Sequence, residues 1–370
     1  MIIKNGNVYC SDGGFKIKDL YVADGFIVDD RNLAAADGKV IDATGKYVIP
    51  SLVDVHSHGA FGHDFCDADV EGLKAILKYE KSCGITSYCP TSMTFPEDRL
   101  EKIFNTVNEV GAEGNLANIV GINMEGPFIS YQKRGAQNPD YILAPDVEMF
   151  RRLNRICDNK IRLITMAPEV EGATDFIKEL CSEVNISVGH TMANYDEATA
   201  AFKAGANHVT HLFNAMPPLN HREPGVIGAA ADSENVFVEL ICDGIHIHPS
   251  AIRLAFKVFG SDRVVLISDS MEATGMVDGE YELGGQKVFK KGNHATLADG
   301  TLAGSATNLF DCMKKAVEFG LPLYDAVKSA TTTPAKSIGM YPKIGALEVG
   351  SKADILIVSK DLELDELISM

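Results

Sequence analysis

The chain has 370 residues, 46% of them hydrophobic, and a formal net charge of −17 at pH 7. That length and apolar content suffice for one large domain with a smaller companion. The charge argues against nucleic acid or an anionic membrane as a partner, so an anionic substrate has to be captured by a few well-placed cations.

Residues 1–50 offer short β-rich pieces at Ile2-Ile3, Lys16-Ile17, Leu20-Tyr21-Val22-Ala23, Phe26-Ile27-Val28 and Val40-Ile41-Asp42, separated by turn signals. A matching set recurs at 344–358. Such strands cannot bury both faces alone, so residues 1–50 and 342–370 are expected to pair into one small β-sandwich domain, with 51–341 inserted between them.

That middle alternates apolar strands with amphipathic helices. Eight strands are predicted at 48–55, 87–89, 119–124, 161–166, 186–188, 208–212, 237–241 and 264–267, with helices at 69–81, 146–158, 174–182, 195–203, 250–259 and 308–319. Continuous apolar runs fit parallel strands covered on both faces, and eight units predict an α/β fold, a (β/α)8 TIM-like barrel. A doubly wound open sheet is the competing topology. Residues 281–303 interrupt the pattern with Gly-rich turns and alternating strands, either a hairpin over the barrel mouth or a surface insertion.

The eight cysteines are scattered without CxxC pairs, which predicts reduced thiols. Met1-Ile2-Ile3-Lys4-Asn5-Gly6 is not a basic-then-apolar leader, and no apolar run nears the ~18 residues of a membrane span, so a cytoplasmic location is expected.

In such a barrel the active site lies at the carboxyl ends of the strands. His56-Ser57-His58 ends the first strand, and the alternation of a strand throws both imidazoles to one side. Glu125 ends the third in Asn123-Met124-Glu125-Gly126-Pro127, and His190 follows the fifth in Val188-Gly189-His190-Thr191. His211 lies within the sixth, and Asp269 ends the eighth in Ile267-Ser268-Asp269-Ser270. Each has an ordinary structural reading singly: a packed histidine, a turn acceptor, a helix cap. Their meeting at one end of one barrel predicts a metal centre with an adjacent carboxylate. His246, after the seventh strand in Asp243-Gly244-Ile245-His246, faces the same mouth, while His63, His208, His221 and His294 are assigned to loops or packing. No Gly-x-Ser-x-Gly elbow supports a serine nucleophile.

These motifs resemble the amidohydrolase superfamily and, within it, the N-acetylglucosamine-6-phosphate deacetylases. The specific stretches are Glu125-Gly126-Pro127-Phe128 and His211-Leu212-Phe213-Asn214-Ala215-Met216; His-x-His and Gly350-Ser351-Lys352-Ala353-Asp354 mark only the superfamily. The resemblance runs over essentially the whole chain. It implies metal-dependent hydrolysis of the acetamide of N-acetylglucosamine 6-phosphate, with N-acetylgalactosamine 6-phosphate or a cyclic amide as the alternative substrate. It implies that Glu125, His190 and His211 hold the divalent ion (Zn, Fe, Mn or Co), that Asp269 is the acid/base, and that His246 acts on the substrate. His56 and His58 would hold a second ion, giving one or two per subunit. Gln137, Asn214, Ala215 and Leu302 would contact the phosphorylated amino sugar, and Arg222 would reach it from the neighbouring subunit of a homodimer. Cyclic-amide hydrolases often bridge two ions with a carboxylated lysine; Glu125 in the ligand position favours the deacetylase.

Overall fold

The computed structural model describes residues 1–35, 38–111 and 114–369. Eight parallel strands form its centre: Leu52–Ser57, Ile85–Ser92, Asn118–Ile119 continuing as Ile122–Glu125, Ile161–Met166, Asn185–Val188, His208–Val209, Phe237–Ile241 and Val264–Ile267. Each pairs in parallel with the next. The last returns to the first: Asp269 N–H donates to His56 O at 2.9 Å and His58 N–H to Ser270 O at 2.8 Å. With both edges joined the sheet is a barrel, and the open doubly wound alternative falls. Helices cover its outside, so strands such as Val264–Ile267 are buried at every residue and read as uninterrupted apolar runs.

Four predicted strands differ in extent, the run 87–89 being part of the longer Ile85–Ser92. The run 48–55 is two strands, because Tyr47–Pro50 pairs antiparallel with Ile355–Val358 while the barrel begins at Leu52. Ser51, whose N–H donates to Asp354 O at 2.9 Å, carries the chain from one sheet to the other. The run 119–124 is stepped at Val120-Gly121, where a Cβ on Gly121 would lie 2.3 Å from Arg162 Cγ. The run 208–212 leaves the sheet after Val209, since His211 is left-handed at φ 28°.

The predicted helices are present with ends shifted by a residue or two, among them Val70–Ser82, where the Asp69 side chain accepts from Glu71 and Gly72 N–H. The helix Glu97–Glu109 was not among the predicted elements, although Leu100, Ile103, Phe104 and Val107 are buried at helical spacing.

Strands from both ends of the chain make one seven-stranded sheet: Ile2–Tyr9, Phe15–Ala23, Phe26–Val28, Val40–Asp42, Tyr47–Pro50, Ile355–Val358 and Leu364–Ile368. Met1, Ile3, Val8, Leu20, Val22, Val48, Ile355 and Ile357 form its own buried cluster. Residues 281–303 resolve into Gly279–Leu283, Gln286–Lys291 and His294–Leu297, an antiparallel meander. It lies at the barrel mouth, where Leu283, Asp299, Thr301 and Leu302 wall the cleft. The eight cysteines are unpaired. No helix among the described residues is long and apolar enough to cross a membrane.

Candidate active site

A cavity of about 470 Å³ opens at the carboxyl ends of the strands. Of the predicted site residues, His58, Glu125, Gln137, His190, His211, Asn214, Ala215, His246, Asp269 and Leu302 line it. His56 lies behind His58 with no exposed surface. Arg222 is exposed on a loop and outside this wall.

Three polar side chains converge because the backbone is bent to aim them. His190, His211 and Asp269 take positive φ values of 46°, 28° and 49°. For a residue with a Cβ such conformations cost roughly 1–3 kcal/mol each, and they are retained where surrounding structure over-determines them.

Glu125 Oε1 lies 3.1 Å from both His190 Nε2 and His211 Nε2, and the two nitrogens are 3.0 Å apart. His190 Nδ1 donates to Lys133 O at 2.9 Å, which fixes the tautomer and leaves Nε2 with its lone pair. The Glu125 carboxylate, the His190 lone pair and His211 Nε2 thus meet within 3.1 Å of one another, an arrangement that suits a bound cation. The donor set, two nitrogens and an oxygen, fits a divalent ion such as Zn, Fe, Mn or Co.

A second group shares Glu125. His56 Nε2 lies 3.5 Å from Glu125 Oε1, and His58 Nε2 lies 3.4 Å from Glu125 Oε2. Asp269 Oδ1 closes that side at 3.3 Å from His58 Nε2 and 3.5 Å from His56 Nε2. Their other ring nitrogens are held, His56 Nδ1 by Glu239 Oε2 at 2.9 Å and His58 Nδ1 by Thr91 O at 3.2 Å.

The electrostatics agree with a demand for positive charge. Burial by itself depresses the His56 imidazolium, but the Glu239 and then Glu125 carboxylates outweigh it and push it to about 10. Burial likewise lifts Glu125, yet His190 and His56 beside it hold its carboxyl well below the usual range. Protons and a metal ion compete for the same lone pairs.

His246 is fixed by Asp243, whose Oδ2 lies 2.7 Å from Nδ1 while Oδ1 accepts from the Ile245 and His246 N–H groups at 2.9 Å. Its other nitrogen is left for the cavity. Gln137 is 2% exposed and doubly engaged: its carbonyl accepts from Thr94 N–H at 2.6 Å and its amide donates to Glu125 Oε2 at 2.7 Å. The residue expected at the substrate therefore also anchors the shared carboxylate, with one N–H to spare. Asn214 Nδ2 donates to His211 O at 3.3 Å, and Ala215 is left-handed at φ 49°.

Of the histidines left to loops or packing, His208 is buried with Nδ1 3.5 Å from Glu239 Oε1, while His221 and His294 are exposed. Sequence reasoning missed Glu239, Asp243, Thr91 and Lys133. Glu239 had a signal: a carboxylate inside the apolar strand Phe237-Val238-Glu239-Leu240-Ile241 calls for a buried partner. Thr91 and Lys133 act through main-chain carbonyls, which residue type does not encode.

A model described as the amidohydrolase family matches residues 47–369. The N-acetylglucosamine-6-phosphate deacetylase of Bacillus subtilis is 37% identical over 369 residues, covering 98% of this chain and 91% of that protein. The N-acetylgalactosamine-6-phosphate deacetylase of Escherichia coli O157:H7 is 31% identical over 353 residues, covering 92% and 93%. Among solved structures, a mutant Mycobacterium smegmatis N-acetyl-D-glucosamine-6-phosphate deacetylase in complex with N-acetyl-D-glucosamine-6-phosphate superposes with a TM-score of 0.92 at 31% identity, over 100% of this chain and 97% of that one. The barrel, its donor groups and these likenesses together make the chain a member of the amidohydrolase family, a family of metal-dependent hydrolases.

Proposed function

We propose that the protein hydrolyses the acetamide of N-acetylglucosamine 6-phosphate, with water as co-substrate and acetate and glucosamine 6-phosphate as products. The observation that carries this reading is the convergence of Glu125, His190 and His211 within 3.1 Å, with Asp269 lining the same cavity. Relatives named for this activity supply the substrate class.

Glu125, His190 and His211 would hold the catalytic ion, and His56 and His58 with Glu125 a second. Held by these residues, a divalent ion would supply Lewis acidity, lowering the pKa of the attacking water towards roughly 7 and polarising the amide carbonyl. Asp269 accepts the proton of the attacking water and returns it to the departing nitrogen. His246, held by Asp243, presents its free nitrogen to the substrate carbonyl and stabilises the charge that develops there. Asn214, Ala215, Leu302 and the spare N–H of Gln137 contact the sugar and its phosphate.

The same reading makes the protein a cytoplasmic homodimer in which Arg222 crosses to the neighbouring cleft; the eight unpaired cysteines and the exposure of Arg222 support it. It also divides the chain into a domain of 1–50 with 342–370 and a catalytic domain of 51–341, supported by the separate buried cluster of the terminal strands. The 31% identity to a galactosamine-series deacetylase favours a second reading, the C4 epimer as substrate. Acetate release from the two N-acetylhexosamine 6-phosphates, measured side by side, tests both. Faster turnover of the gluco epimer is expected, and release from neither overturns the proposal.

A further inference from the structure

An enzyme of net charge −17 that takes a phosphorylated sugar needs local cations at its cleft. Arg222 is outside the cavity wall of its own chain. The lysine and arginine side chains of that wall are Lys133 and Arg134, on the loop that follows Glu125-Gly126-Pro127-Phe128. Arg134 lies along its own loop: its Nη1 donates to Tyr131 O at 2.9 Å and its guanidinium stacks 4.6 Å from the Tyr131 ring centroid.

Lys133 is placed differently. Its Nζ donates to Met216 O at 3.2 Å, and among the described residues no carboxylate pairs with it. One neutral carbonyl uses one of three ammonium donors, so two remain for a ligand. Met216 closes the turn in which Phe213 and Ala215 are left-handed at φ 80° and 49°, and no protein acceptor takes the Ala215 N–H among the described residues. Lys133, tied to Met216, and Ala215, the chain neighbour of Met216, both line the cleft, so this part of the wall offers an anion an ammonium and a free amide. The backbone of Lys133 faces the other way: its carbonyl accepts from His190 Nδ1, so the loop that would grip the anion also orients a metal ligand.

We propose that Lys133 determines specificity for the phosphorylated substrate, its ammonium taking the 6-phosphate in the same chain as the reacting amide. This rests on the sugar-phosphate reading above. It assigns the in-chain half of the phosphate grip to Lys133 and leaves Arg222 as the half from the neighbour.

The test uses Lys133→Met, which keeps the aliphatic stem and the carbonyl to His190, and Lys133→Arg, which keeps the charge. For each, kcat/KM is measured on N-acetylglucosamine 6-phosphate and on N-acetylglucosamine, together with metal content and calorimetric binding of glucose 6-phosphate. In K133M the preference for the phosphorylated substrate should fall at least about tenfold, carried by KM, as expected for a lost charge-assisted hydrogen bond. Glucose 6-phosphate should weaken by a similar factor, K133R should recover most of both, and metal content should match the wild type. An unchanged preference and unchanged glucose 6-phosphate binding would overturn the role, as would an equal loss on both substrates, which marks a purely structural lysine. A wild-type protein without preference for the phosphorylated sugar would sink the substrate reading itself, and Lys133 with it.

Discussion

The two donor groups that share Glu125 are built in opposite ways. His56 and His58 come from one strand two residues apart, and they approach Glu125 only to 3.5 and 3.4 Å. His190 and His211 come from the ends of two different strands, and with Glu125 they close to 3.0–3.1 Å. The local pair gets its convergence free from the alternation of a strand, and gets no more than that. The dispersed trio is aimed by left-handed backbone at His190 and His211, strain that only a finished barrel can hold. The dispersed trio should therefore be the tight site and the local pair the loose one.

The largest effect should follow from the residue common to both groups. Glu125→Gln keeps the shape but removes the shared charge, so metal content on purification should drop to background and acetate release with it. Retention of one ion per chain would show that the two groups do not depend on the same carboxylate. Next, Asp269→Asn should lower turnover by about 10²- to 10⁴-fold, the usual range for a lost general acid/base, while the ion of the His190–His211 group stays. Near-normal turnover would remove Asp269 from proton transfer.

Replacing His56 and His58 together by Asn separates the groups directly. Elemental analysis should show loss of a second ion where the wild type carries one, with the first retained and turnover surviving in part. Loss of all metal would reverse the ranking of the two groups. The smallest change is expected from Arg222→Ala: a rise in KM for the phosphorylated sugar of about tenfold, with metal content unchanged. An unchanged KM would take Arg222 out of phosphate capture.

The same contrast explains what could be read in advance. The strand 264–267 was legible because burial on both faces leaves a continuous apolar run, and Asp269 was legible because it follows that run. His211 was placed inside its strand rather than beyond it, since an α-L residue leaves no mark in residue type. Ser51 hid the change of sheet for a similar reason: both flanking strands are apolar, and the break is a single main-chain hydrogen bond. The supports were the least visible part. Thr91 O and Lys133 O fix the tautomers of His58 and His190 from far along the chain, and only the closed barrel brings them together.

Of the two donor groups, Glu125–His190–His211 is the one that catalysis should require. Chelated protein, titrated with a divalent ion while acetate release from N-acetylglucosamine 6-phosphate is followed, tests this most directly. Activity should be absent without metal, rise with the first equivalent per chain and level off there, with any further ion binding adding little. Full activity in the chelated protein, or none until a second equivalent is bound, would contradict it.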